Sequence, residues 1–212
     1  MGLFLRLLMW LLGIFLTFQV VLRLVRKAHP FPMPFASAAI LENPLRLRLA
    51  PPAQLVDRLR LAPGMHVLEV GPGSGVFTVE VAHRLGPTGY LAAVDVQPQM
   101  LAKTEDKIRA AGLANVETLL ADAAELPFAD QSFDLAFFVT VLGEIPDKAA
   151  ALAEAHRVLR PGGRLSVTEL LMDPDYSLRS TVIARCREAG FALSEEYGNF
   201  FAYTVNFQKL AA

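Results

Sequence analysis

Three acidic residues stand at or near the ends of three successive apolar runs, and a glycine turn follows the first run. Val67-Leu68-Glu69-Val70 leads into Gly71-Pro72-Gly73-Ser74-Gly75, and a helical pattern begins at Val76. Glycines between a strand and a helix remove side chains and let a ligand approach the backbone. A dinucleotide fingerprint needs G-x-G-x-x-G; its third glycine would fall at Val76, so that fingerprint is broken. The second run ends at Asp95, 24 residues after Gly71, where a carboxylate can accept both hydroxyls of a ribose. Asp122 follows the third run, where it can receive an exocyclic amine. Any one of these acids is also what a solvated loop or a helix cap presents. Together they make an acidic mouth that repels phosphates and suits a cationic, phosphate-free nucleoside.

The elements that must position these groups are legible as alternating periods. His66–Val70, Tyr90–Val94, Val116–Leu120, Phe133–Val139 and Arg164–Glu169 read as buried strands. Helical patterns cover Val76–Leu85, Pro98–Ala111, Lys148–Leu159 and Leu178–Ala189, several closed by glycine. Strands alternating with helices of this length predict βαβ units and a parallel sheet covered on both faces. Ala192–Tyr197 and Phe200–Gln208 are separated only by Gly198-Asn199, a hairpin signal that makes the last strand antiparallel. Residues 36–62 carry weak helical periodicity and are expected to form one or two helices ahead of the sheet.

The chain has 212 residues, 53% of them hydrophobic, with a mean hydropathy of +0.38. The excess lies at the N-terminus, where only Gly13, Thr17 and Gln19 interrupt the apolar run Leu7–Leu22. Sixteen helical residues rise about 24 Å against a hydrocarbon core of roughly 30 Å. Snorkelling by Arg6 and Arg23 extends the usable length to Leu3–Val25. The sequence after Leu22 is a poor signal-peptidase site, and the run has no polar face for an interfacial helix, so a single membrane-spanning anchor is expected over residues 1–27. The basic cluster Arg23, Arg26 and Lys27 outweighs Arg6 and predicts a body on the cytoplasmic side. A proline-rich linker, 28–36, should act as a spacer, with Phe31, Met33 and Phe35 able to rest on a membrane or cover a site. The rest, 37–212, is read as one domain, with a helical segment 37–62 and a core 63–212. Its 16 Lys/Arg against 21 Asp/Glu leave −5, and no basic face for nucleic acid is apparent. Cys186, the sole cysteine, excludes an internal disulfide and a cysteine-based zinc site, and no other metal constellation appears.

Glu69–Gly75, Asp95, the run Ala121-Asp122-Ala123-Ala124-Glu125-Leu126-Pro127-Phe128, Ser132-Phe133-Asp134 and Leu159-Arg160-Pro161-Gly162-Gly163 together resemble class I S-adenosylmethionine-dependent methyltransferases. The likeness covers roughly residues 50–208 and is strongest to the group holding ubiquinone/menaquinone and small-molecule methyltransferases. It implies a Rossmann-like α/β fold: a seven-stranded, mostly parallel sheet of order 3-2-1-4-5-7-6, with helices on both faces and the seventh strand antiparallel. It also implies S-adenosyl-L-methionine as cofactor. Gly71, Pro72, Gly73 and Gly75 would pass under its methionine part, with Glu69 near the amino group. Asp95 would take the ribose hydroxyls, Val96 would flank the adenine, and Asp122 and Ala123 would meet the adenine edge. Thr140 would line the sulfonium and acceptor region. The family often has His where Gly143 stands. No Asn-Pro-Pro-Tyr motif is present, and the multi-cysteine pattern of arsenite methyltransferases is absent.

A sulfonium is already an activated leaving group, so the main task is to position two reactants. Where the acceptor must lose a proton, Glu144 and Tyr203 are the candidate bases. A membrane anchor favours an acceptor that partitions into lipid, such as a phospholipid amine, a quinone precursor or a hydrophobic thiol. Arg46 and Arg48 could meet anionic headgroups, and Phe200 and Phe201 could line the acceptor pocket. The competing readings are an NAD-dependent oxidoreductase, which the broken fingerprint and Glu69 disfavour, and a catalytically silent, membrane-tethered binding module on the same fold. Oligomeric state is not legible.

Overall fold

The computed structural model describes residues 2–49 and 51–210. Seven strands form one sheet: β1 His66–Val70, β2 Tyr90–Asp95, β3 Val116–Leu120, β4 Phe133–Val139, β5 Leu159–Leu170, β6 Phe191–Gly198 and β7 Ala202–Lys209. Their order is β3-β2-β1-β4-β5-β7-β6, as the family resemblance implies. The first five run parallel, and β7 lies antiparallel between β5 and β6. Two-sided burial explains the continuous apolar runs at the centre. Six consecutive residues of β4, Phe133–Phe138, are buried, while the edge strand β6 alternates along its length. β5 begins earlier than expected because Leu159 already pairs with Phe133, with an irregularity absorbing the Pro161-Gly162-Gly163 turn.

Four helices cover the sheet: α4 Thr78–Leu85, α5 Pro98–Ala110, α6 Lys148–Val158 and α7 Arg179–Glu188. Each follows its sequence signals. Pro98 stands in the first turn of α5, and Asp147 caps α6 by accepting the Ala150 amide at 2.9 Å. One apolar cluster includes Phe138, Leu152, Val158, Val182 and Phe207; a second includes Val81, Leu85, Leu135 and Phe137, and a small third joins Leu55 to Leu170. Asp134 accepts the His66 amide at 2.7 Å at the amino edge of the strands, so its part is structural. The opposite, carboxyl edge gathers the loops that follow the first five strands. Parallel registers such as Val70↔Val94 and Val139↔Thr168 bring those loops level.

Ahead of the sheet come α1 (Leu3–Ala28), an irregular proline-rich stretch, a 3₁₀ helix (Phe35–Glu42), α2 (Pro44–Leu49) and α3 (Pro52–Arg58). Among the described residues, no helix is long and apolar enough to cross a membrane. The membrane-spanning helix expected over 1–27 is corrected in one further respect. The end of α1 is not a free stem, because its basic residues are used by the body. The Arg23 guanidinium donates to the Leu171 carbonyl, and Arg26 is buried in an ion pair with Asp175 at 2.7 Å. Side chains along α1, including Trp10, Ile14, Phe18 and Leu24, are exposed.

Candidate functional site

A cavity of about 320 Å³ opens at the carboxyl edge of the sheet, between the glycine turn, the loops after β2, β3 and β4, and the N-terminal segment. Its floor is built by the turn after β1. Gly71, Gly73 and Gly75 all have positive φ, between 58° and 74°. At Gly71 the need for glycine is twofold. The backbone is left-handed, and a Cβ there would sit 2.5 Å from a methyl of Val141, so the turn could not lie against the loop after β4. Gly71, Pro72 and Gly73 line the cavity. Gly75 does not; it lets the turn pack on Thr104 of α5, with a would-be Cβ 3.1 Å from Thr104 Cα.

Asp95 ends β2 at the cavity wall. One of its oxygens accepts the Gln97 amide at 2.9 Å, and burial pushes its carboxyl above the usual range, with the amides of Gln97, Gly73 and Val96 pulling it back. Val96, Asp122 and Ala123 line the same wall. Asp122 is exposed and spends one oxygen on the Ala124 amide at 2.9 Å. Glu69, expected near the cofactor's amino group, is fully buried next to the glycine turn, takes the Thr78 hydroxyl at 2.7 Å, and is set back from the residues that line the cavity. Burial raises its carboxyl to about 8, opposed by the Thr78 bond and reinforced by the nearby Asp95 charge.

Thr140 lines the cavity in a left-handed conformation, φ 57°. A β-branched residue pays roughly 1–3 kcal/mol for that geometry. The Thr140 amide is held by the Thr168 carbonyl at 2.8 Å, and its hydroxyl accepts from Arg46 at 3.1 Å. Arg46 is buried and ion-paired with Asp173 at 2.7 Å, so it is committed to the cavity wall rather than to lipid headgroups. Arg48 is exposed. Glu144 also lines the cavity, but both oxygens are engaged: one accepts the Met33 amide at 2.8 Å, and the other lies 3.6 Å from Arg26. Burial raises it to about 8.

Tyr203 is corrected as a candidate base. It is buried in β7, outside this cavity, and its hydroxyl donates to the Ser177 carbonyl at 2.6 Å. Burial raises its phenol far above the neutral range. Phe200 and Phe201 do not line this cavity either; they are exposed at the hairpin tip.

Sequence reasoning missed how much of the wall comes from ahead of the sheet. Pro32, Met33, Leu41, Arg46 and Leu47 all line it. Met33 spans the mouth: its amide goes to Glu144, and its carbonyl accepts from the Gln97 side chain at 3.0 Å. Of the two readings of the proline-rich stretch, covering a site describes its contacts. Asp173 also belongs to this wall: it follows the end of β5, where the strand-end rule that applies to Asp95 holds equally.

Gly143 has a structural reason for being glycine. A Cβ there would lie 2.2 Å from the Asp175 carbonyl oxygen, a backbone atom that cannot swing away. Gly143→Ala should therefore lower stability by about 1–3 kcal/mol, read as a fall in denaturation midpoint. Installing His at this position should disrupt the loop rather than supply an acid–base group.

The buried carboxyls also set a pH dependence. Glu69, Glu144 and Glu169 are each held near 8 by burial. Between pH 4.5 and 8 the unfolded chain releases these protons while the folded chain keeps them, so stability falls as pH rises through that window. His156, lowered by burial, opposes this over the smaller range below its ordinary value. Melting of the ligand-free protein should be lower at pH 8 than at pH 5.5; a midpoint that rises steadily over that range would contradict these environments.

A doubly wound sheet of this order, with a glycine turn on its first strand and a carboxylate ending its second, defines a nucleoside-binding class I methyltransferase fold. The chain belongs to a family described as methyltransferase domain, which matches residues 61–202. Among curated relatives, a ubiquinone/menaquinone biosynthesis C-methyltransferase of Vibrio vulnificus is 40% identical over 115 residues, 54% of this chain and 44% of the relative. An arsenite methyltransferase of Halobacterium salinarum is 33% identical over 125 residues, with 54% of this chain and 32% of the relative covered. The chain thus spans less than half the length of these relatives. A SAM-dependent methyltransferase from Aquifex aeolicus superposes with a TM-score of 0.78 at 24% identity, covering 84% of this chain and all of that one, and shares the fold. S-adenosylmethionine is the cofactor of this domain. The residues present fit it: the turn at Gly71 has no room for a side chain, the wall carries a strand-end carboxylate, and the basic residue among the described lining, Arg46, is paired with Asp173 rather than left for a phosphate.

Proposed function

We propose that the chain transfers a methyl group from S-adenosylmethionine to a small, lipophilic acceptor, a phospholipid amine, a quinone precursor or a hydrophobic thiol. The observation that carries this reading is the continuity of one cavity. The glycine turn and Asp95 lie at one side, and an apolar wall of Met33, Leu41, Leu47, Phe77, Ile145 and Leu170 continues from them.

The cofactor supplies an electrophilic methyl on a sulfonium. The chain's own residues bind and orient. Asp95 accepts the ribose hydroxyls, Val96 flanks the adenine, and Asp122 with Ala123 meets its edge. The backbone of Gly71, Pro72 and Gly73 runs under the methionine part, with Glu69 supporting the turn from behind. Thr140, tied to Arg46, shapes the wall where acceptor and methyl meet. Glu144 holds the segment around Met33 and helps keep water out of the site. Cys186 is buried in α7 and is not in the cavity wall, so a thiol-based route like one suited to arsenite has no cysteine there.

The exposed apolar side chains of α1 support seating on a membrane, which raises the effective concentration of an acceptor dissolved in the bilayer. Incubating the full chain with methyl-labelled cofactor and a panel of lipophilic and polar acceptors tests this. Label is expected in lipid-extractable products; turnover of polar, water-soluble acceptors alone would overturn the lipophilic reading.

A further inference from the structure

We propose that the tip of the β6–β7 hairpin and the loop after β5 form a second docking surface, fitted to an anionic lipid bilayer, beside the end of α1. The inference rests on the reading that α1 contacts a membrane. Phe200 and Phe201 are 58% and 69% exposed, and Leu178 and Met172, on the neighbouring loop, are 54% and 46% exposed. Two adjacent aromatic rings at a hairpin tip are costly to leave in water.

The tip is built to present them. The Asn199 side chain accepts the Phe201 amide at 2.9 Å, and Arg179 donates to the Gly198 carbonyl at 3.1 Å. The Tyr176 hydroxyl donates to the Phe200 carbonyl at 2.7 Å, with the two rings edge to face at 5.8 Å. Leu171 joins this tip to α1: its amide donates to the Phe201 carbonyl at 2.8 Å, and its carbonyl accepts from Arg23.

Charge selects the partner. The acids around this rim are neutralised from within: Asp173 by Arg46, Asp175 by Arg26, and Glu196 by Arg179 at 3.3 Å. Lys27, the residue after Arg26, stays exposed. Apolar side chains beside Lys27 and Arg23, whose guanidinium bonds a backbone carbonyl rather than an acid, match an anionic bilayer interface. A helix alone leaves the body free to swing, whereas two contacts fix its orientation. Leu170 and Asp173 line the cavity while Met172, between them, faces outward, so the same loop borders both the bilayer and the site.

The test uses the full chain and anionic phosphatidylglycerol vesicles containing nitroxide-labelled lipid. Trp10, the sole tryptophan, reports on α1. A polarity-sensitive dye on Phe201→Cys reports on the tip, since Cys186 is buried. Quenching of both reporters is expected. Phe200→Ser/Phe201→Ser should weaken vesicle partitioning about tenfold while leaving affinity for S-adenosylhomocysteine unchanged. Quenching of Trp10 without quenching of the dye overturns the tip and leaves the α1 reading standing. Quenching of neither overturns both. Dye shielding that grows with protein concentration in the absence of vesicles assigns the surface to a second copy and overturns the proposal.

Discussion

Asp95→Ala should lower affinity for S-adenosylhomocysteine about a hundredfold in a calorimetric titration, with little loss of stability in the ligand-free protein. Two hydrogen bonds from ribose hydroxyls to one carboxylate are worth about 3 kcal/mol in total, and each 1.4 kcal/mol is tenfold. The position is favourable for that exchange: Asp95 ends β2 on the cavity wall, and its protein partners there are backbone amides, with no side-chain cation to compete for it. The same burial that raises its pKa means the carboxylate is poorly solvated before ligand arrives. Removing it therefore relieves a local cost in the empty protein and forfeits binding only. Unchanged affinity would show that the ribose lies elsewhere.

Arg26→Ala should release the N-terminal segment from the body. Arg26 donates to Asp175 at 2.7 Å and to the Phe31 carbonyl at 2.6 Å, stacks on the Phe31 ring at 4.2 Å, and faces Glu144 at 3.6 Å. Truncating one member of a buried ion pair costs roughly 3–5 kcal/mol, largely through the carboxylates left behind. That loss falls on the contact between α1 and the sheet, not on the sheet itself. Hydrogen exchange at the Met33 amide should accelerate, protease should cut between residues 28 and 35, and S-adenosylhomocysteine should dissociate faster. Arg26→Lys should fall between, because an ammonium keeps the charge but not the fork of donors. A Met33 amide that exchanges as slowly as in the parent chain would show that Arg26 does not hold the segment.

Much of the sheet was readable because its physics is local. Val67–Val70 and Phe133–Phe138 are buried and apolar save for one acid each, Glu69 and Asp134, and glycines at 71, 73, 112 and 190 mark turns whose φ is positive. The cofactor side was readable for the same reason: Gly71 and Asp95 follow a strand-end rule that depends only on topology. The acceptor side was not. Arg46 and Asp173 are 127 residues apart, and nothing in either neighbourhood signals that they pair. Glu144 looked like a free base because its partners come from far ahead in the chain, Met33 from the segment read as a spacer and Arg26 from the one read as an anchor. Tyr203 looked available because strand alternation does not say which face of β7 a helix will cover; α7 and the loop before it bury the ring. The apolar character of α1 was plain, but its last turns serve the body through Arg23 and Arg26, a long-range use that hydropathy cannot register.

The central claim is that this cavity takes a phosphate-free adenosyl cofactor. Isothermal titration of the full chain with S-adenosylhomocysteine, and separately with NAD, tests it most directly. Saturable one-to-one binding of S-adenosylhomocysteine with no measurable NAD binding is the expected result; binding of NAD without S-adenosylhomocysteine would contradict the account.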